Sequence, residues 1–172
     1  MKEKFTEYQR LNLINQYTIL RDLAEIRKDN YYKEKYETFI EILSEGYVGM
    51  YSDITEELSD EFPAEESRLV WDILQIYSYI KSSYERLENP TISKSQIHFD
   101  GFDGNEEIPY YGFCKFVLFT LKRFSDLTEN GQLDINSHCN RVGKYRVMIN
   151  KWKEMDKPYM LTEEQIKTLL SI

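Results

Sequence analysis

At 172 residues the chain has the length of one domain, and a domain of this size buries about 70% of the surface that its unfolded chain exposes. A hydrophobic fraction of 41%, with 14 tyrosines and 9 phenylalanines, excludes a disordered chain, because aromatic side chains bring large apolar areas to bury. The balance of 22 basic against 30 acidic residues, net -8, disfavours nucleic acid and anionic membrane surfaces as partners.

The first predicted element is a helix opened by Thr6 and Gln9 at capping-box spacing, with Leu13, Tyr17, Leu20 and Ala24 on its apolar side. Gln9, Asn12, Asn15 and Gln16 give it an unusual density of amides. A buried amide costs free energy unless it finds a partner, so these residues point to a specified polar contact rather than to generic core. A second helix is expected from about Tyr31 to Glu45, where Tyr32, Tyr36, Phe39 and Leu43 recur at spacings of four, three and four and Gly46 supplies a stop. Tyr47 to Tyr51 and Gln96 to Phe99 are β-leaning and could pair as a small ribbon. Ser52 to Leu58 reads as a short helix. Pro63 suits the first turn of a long one reaching Leu87, with Leu69, Ile73, Ile76, Ile80 and Tyr84 in its stripe. Pro109 begins the next helix, through Cys114, Val117, Leu121 and Phe124, which is expected to be central. After a polar stretch from Thr128 to Asn140 come a helix with Val142, Tyr145, Ile149 and Trp152 on one face and a terminal helix opened by the capping box Thr162 and Gln165.

The charge is uneven. Residues 1–88 hold 11 basic and 19 acidic groups, whereas 89–172 hold 11 of each, and 112–157 hold nine basic against five acidic. A positive face on an acidic protein can draw its own acidic part toward it, which favours a homo-oligomer. No apolar run follows the lysines of the N-terminus, so a cleaved signal peptide is not expected, and the apolar stretch from Tyr110 to Leu121 is too short to cross a bilayer. A cytoplasmic location and no membrane association follow as expectations. The two cysteines, Cys114 and Cys139, form no CxxC pair, so their count excludes a zinc knuckle or disulfide scaffold.

The acidic loop from His98 to Glu107 is the best place to look for a site, because Asp100, Asp103, Asn105, Glu106 and Glu107 gather oxygen ligands beside Gly101 and Gly104. It fails the EF-hand pattern: with Asp103 in the first position, Ile108 stands where glycine is required and Cys114 where the bidentate glutamate belongs. A turn in which Asp and Asn side chains bond their own backbone is the simpler reading. His98 is expected to be a hydrogen-bonded structural residue, and Cys114, on the most apolar helix, a small hydrophobe of the core. No GxSxG, P-loop or GxGxxG occurs. Arg141, Lys144, Arg146, Lys151 and Lys153 could face nucleic acid, but Tyr145 and Trp152 fall on the apolar stripe.

The order QRLNLINQY (9–17), Glu45-Gly46-Tyr47, WDILQIY (71–77), GFDGN (101–105), Tyr111-Gly112-Phe113, Asn150-Lys151-Trp152 and Tyr159-Met160-Leu161-Thr162 resembles the bacterial YfbU family over nearly the whole chain. The resemblance implies a mainly helical cytoplasmic protein and makes oligomers unsurprising; it implies no reaction, cofactor or catalytic residue. The expected fold is mainly α, a single YfbU-like domain over 1–172 built as a bundle of about six helices with at most a small two-stranded β ribbon. The leading functional expectation is a noncatalytic, oligomerising interaction or regulatory protein with a protein partner still to be identified. No cofactor, metal or catalytic residue is assigned. The rival is a small-ligand or metal-dependent enzyme using the loop 98–107, and a third reading is nucleic-acid binding through 141–157. The candidate ligand and contact residues are Gln9, Arg10, Asn15, Gln16, His98, Asp100, Asp103, Asn105, Glu106, Glu107 and Asn150.

Overall fold

A computed structural model describes residues 4–171; Met1, Lys2 and Glu3, which begin the N-terminal stretch read above for a signal peptide, lie outside the described residues. The fold is mainly α, with seven helices and no strand among the described residues. The described residues divide into two compact units, the first ending at Glu61 and the second beginning at Phe62, each with its own hydrophobic core.

The first unit is a helical hairpin, α1 (Glu7–Arg27) and α2 (Asn30–Glu45), followed by a short α3 (Tyr51–Thr55). Thr6 and Gln9 close a capping box: the Gln9 amide N–H donates to Thr6 Oγ1 at 3.2 Å, and the Thr6 N–H donates to Gln9 Oε1 at 2.9 Å. Lys28 ends α1 in the left-handed conformation, and Asp29 caps α2 through the Tyr32 N–H. The core joins Phe39, Ile42, Leu43 and Tyr51 to the half-buried Leu13, Ile14, Tyr17 and Tyr36. Leu20, expected on the inner side, is 39% exposed. Arg10 instead turns inward, donating from Nε to Leu43 O at 2.7 Å and from Nη2 to Ser44 O at 2.8 Å. Its cation thereby satisfies carbonyls that the last turn of α2 leaves without helical partners.

The second unit is organised by α4 (Ala64–Tyr84), which buries Leu69, Val70, Ile73, Leu74, Ile76, Tyr77, Ile80 and Ser83. Around it pack α5 (Ile108–Lys115), α6 (Val142–Glu154) and α7 (Glu163–Leu170). Thus α4, not the helix begun near Pro109, holds the central place. That helix is also shorter than expected: it passes at Phe116 into a π-helical turn ending at Thr120. Neither candidate strand forms. Val48–Met50 and Lys94–Ile97 are 3-10 turns, and the extended pairing among the described residues is an isolated parallel bridge between Phe102 and Asn136 and an isolated antiparallel one between Glu129 and Gln132. Two isolated strands are marginal without a third, and both segments close short i to i+3 turns instead, with Ile97 the buried residue of the second. The terminal helix forms as read, with Thr162 and Gln165 capping and Leu161 and Ile166 buried beneath. No helix among the described residues is long and apolar enough to cross a membrane.

Candidate functional site

The acidic loop is a structural hub. Gly101 has φ of +85°, and a Cβ there would sit 1.9 Å from the Ile135 carbonyl oxygen. Phe102 N–H donates to that oxygen at 2.9 Å, Ser137 N–H donates to Phe102 O at 3.2 Å, and Gly104 N–H reaches Asn136 Oδ1 at 3.1 Å. The loop is therefore laced to 135–137. The Phe102 ring is fully buried, with ring centres 5.3 Å from Tyr145 and 5.8 Å from Tyr110, and the Tyr145 hydroxyl donates to Gly101 O at 2.8 Å. Burial pushes the ionisation of Tyr145 and Tyr77 upward, so both stay neutral hydroxyls.

Two of the loop's carboxylates point into the protein. Asp103 Oδ1 accepts from the Asn105 N–H at 2.8 Å and the Glu106 N–H at 3.3 Å, the self-bonded turn read from the sequence. Glu107 Oε2 accepts from the Asp103 N–H at 3.0 Å, while Oε1 takes the Arg141 N–H at 2.8 Å and the Val142 N–H at 2.7 Å. Glu107 is thus the N-terminal cap of α6, supplied from 34 residues upstream. Both carboxylates are buried. Their lone pairs serve backbone donors, and no group of three or more His, Cys, Asp or Glu among the described residues is placed to hold a metal ion.

His98 is exposed rather than hydrogen-bonded: its ring finds no hydrogen-bond partner among the described residues. It lines two hollows. The larger, about 910 Å³, has Ile97, Phe99, Phe119, Leu127 and Leu133 as apolar lining and Lys81, Lys94 and Asp134 among its charges. The smaller, about 250 Å³, is polar and includes Gln96, Asp100, Arg141 and Lys144; there Arg141 pairs with Asp100 at 2.8 Å, and Arg141 Nε is buried without an acceptor. Sequence reasoning marked the larger hollow only through His98 and Phe99, because the rest of its lining comes from α4, Lys94 and Ile97, the π-helical turn, Leu127 and the polar stretch 129–134. Asn105, Glu106 and Asn150 are exposed. Cys114 is buried, and burial pushes its thiol up to about 12, which suits core rather than nucleophile.

The amides of α1 have the opposite placement. Asn12, Asn15 and Gln16 are all exposed, on the side away from α2. Between and beside them stand Tyr8, Leu11, Ile19, Leu23 and Ile26, which are 72%, 55%, 61%, 42% and 77% exposed. Gln9, Arg10, Asn15 and Gln16 belong to the first unit, and the remaining candidate residues belong to the second. On α6, Tyr145 and Trp152 are buried and Arg146 donates to both oxygens of Glu66, at 2.7 and 2.6 Å. Aromatic stacking on bases is therefore unavailable from that helix.

The YfbU domain pattern matches residues 3–172. The chain belongs to the YfbU family. It is also 34% identical over 173 residues to the UPF0304 protein MJECS11 of Methanocaldococcus jannaschii, an alignment covering 96% of this chain and 98% of that protein. Family membership carries the mainly helical fold but no assigned reaction.

Proposed function

We propose that this YfbU-family protein is a noncatalytic interaction protein whose N-terminal hairpin presents a protein-docking face. One observation carries the reading: five large apolar side chains lie exposed along one side of α1, interleaved with amides. An apolar band of this size on the surface marks a contact site, and interleaved hydrogen-bonding groups give it specificity. The acidic loop, by contrast, spends Asp103 and Glu107 on backbone donors of the loop and of the start of α6. In-cell photo-crosslinking tests the reading: a photoreactive residue at position 19 is expected to give discrete protein adducts, and one at Arg68, on the exposed side of α4, to give none. Absence of adducts at position 19 would overturn it.

A second reading, a small-ligand site, has its own support in the 910 Å³ hollow beside His98, since ligand pockets commonly hold about 300–1,000 Å³ and combine apolar walls with a few polar groups. Thermal unfolding with a metabolite panel tests it; a ligand at about a hundred times its dissociation constant adds roughly 2.7 kcal/mol, and His98→Ala should erase the shift.

A further inference from the structure

The spacing of the exposed stripe on α1 is the same read from either end. Tyr8, Asn12, Asn15, Ile19, Asp22 and Ile26 are spaced four, three, four, three and four, the alternation that keeps one face turned toward a partner helix. These positions are mirrored about residue 17. Turning the helix end for end lays 8 on 26, 12 on 22 and 15 on 19. We propose that the occupant of this face is a second copy of the chain, docked antiparallel about a two-fold axis beside residue 17; this rests on the protein-docking reading above. Each layer then occurs twice: Tyr8 against Ile26 of the second copy, Asn12 against Asp22, and Asn15 against Ile19. That is the self-complementarity of a two-fold interface, in which i meets j and j meets i.

Charge favours this arrangement over a parallel one. Asp22 is the single charged residue of the stripe; its carboxylate is 57% exposed, and one oxygen accepts from the neighbouring Arg21, Nε at 3.0 Å and Nη2 at 2.7 Å, leaving the other oxygen for a partner. A parallel pair would set it against its own copy, whereas the antiparallel pair sets it against the amide donors of Asn12. The antiparallel pair also places the positive end of each helix dipole near the negative end of the other. Area is sufficient as well. With Leu11 and Leu23, which flank the stripe and are themselves mirrored about residue 17, the exposed apolar side chains Tyr8, Ile19 and Ile26 offer roughly 600 Å² per copy, close to the approximately 800 Å² per partner of a standard interface, along a span of about 27 Å. The remaining amides fix register, as a single polar residue does in a helical seam.

The test uses the full chain with Cys139→Ser, which removes the exposed thiol, and a spin label at Glu7→Cys beside the stripe. Sedimentation equilibrium is expected to show a dimer, and the label-to-label distance should be at least about 30 Å, because position 7 and its copy lie 20 residues apart along the pair at 1.5 Å each. Asn12→Asp, which opposes two carboxylates, is expected to weaken dimerisation roughly tenfold or more, and adding Asp22→Asn should restore it. Circular dichroism confirms that these surface variants fold. A dimer with labels about 10–15 Å apart overturns the antiparallel assignment. A strict monomer at the highest soluble concentration overturns the second copy as occupant; adducts at position 19 with a different protein would then leave the docking reading standing, and no adducts at all would remove both.

Discussion

The loop 98–107 and the outer side of α1 both set polar groups among apolar ones, and they use those groups in opposite directions. In the loop, Asp103 and Glu107 turn inward and end five backbone N–H groups. On α1 Gln9 bonds back to Thr6, but Asn12, Asn15 and Gln16 turn outward and leave the backbone to the helix. A side chain without a backbone donor in reach keeps its hydrogen-bonding capacity for another molecule. A cluster of polar residues is thus a candidate contact only after its local backbone demands have been met.

The largest expected effect lies in the loop. Gly101→Ala combines positive φ with a methyl group placed on the Ile135 carbonyl, so it should cost at least about 4 kcal/mol or prevent folding in chemical denaturation; Gly143→Ala on α6, where a Cβ meets nothing within 4 Å, should be neutral or stabilising by up to about 1 kcal/mol. Equal effects at the two glycines would break the contrast. Glu107→Ala strands three N–H groups and should cost about 3 kcal/mol, with Glu107→Gln costing less because one amide oxygen can still accept.

An intermediate case sharpens the comparison through pH. Glu163 accepts from the Thr91 hydroxyl and, at 2.8 Å, from the Thr91 N–H; these bonds, with Lys167 adding to them, hold its carboxyl at about 2. Its folded pKa is below the unfolded value of about 4.3, so its stabilisation is present above pH 4.3 and is lost as pH falls toward 2. The stability gap between the wild type and Glu163→Gln should therefore narrow over that window. A gap independent of pH would show that the charge does not matter there. The smallest effect is expected on α1: Ile26→Asp, at a side chain 77% exposed, should change the stability of the isolated chain by no more than about 0.5 kcal/mol while weakening self-association. A loss of several kcal/mol would mean that the stripe is core.

Much of the fold was legible because it is written in local codes. Thr6 with Gln9, Thr162 with Gln165, and Gly46 mark helix ends through bonds between near neighbours, and the stripe from Leu69 to Ile80 shows its period directly. Long-range debts were not legible. The π-helical turn at 116–120 shortens the helix after Pro109, and the ribbon expected from Tyr47–Tyr51 and Gln96–Phe99 gives way to 3-10 turns, because β propensity is too weak to hold two strands without further partners. Of the site candidates, the self-bonded turn at Asp103 was readable from spacing, but the roles of Arg10 and Glu107 were not, since each serves a helix end more than 30 residues away.

The borrowed start of α6 has a consequence for assembly of the second unit. A segment such as 140–155 carries no side-chain signal of its own to begin winding, so an excised peptide of that stretch lacks the carboxylate that closes its first turn. The first turn gains its cap only when the 34-residue excursion from Glu107 has returned, which couples the amides at 141 and 142 to the hub as well as to the helix end. Deuterium uptake at those two positions is a gauge of when the unit as a whole lets go.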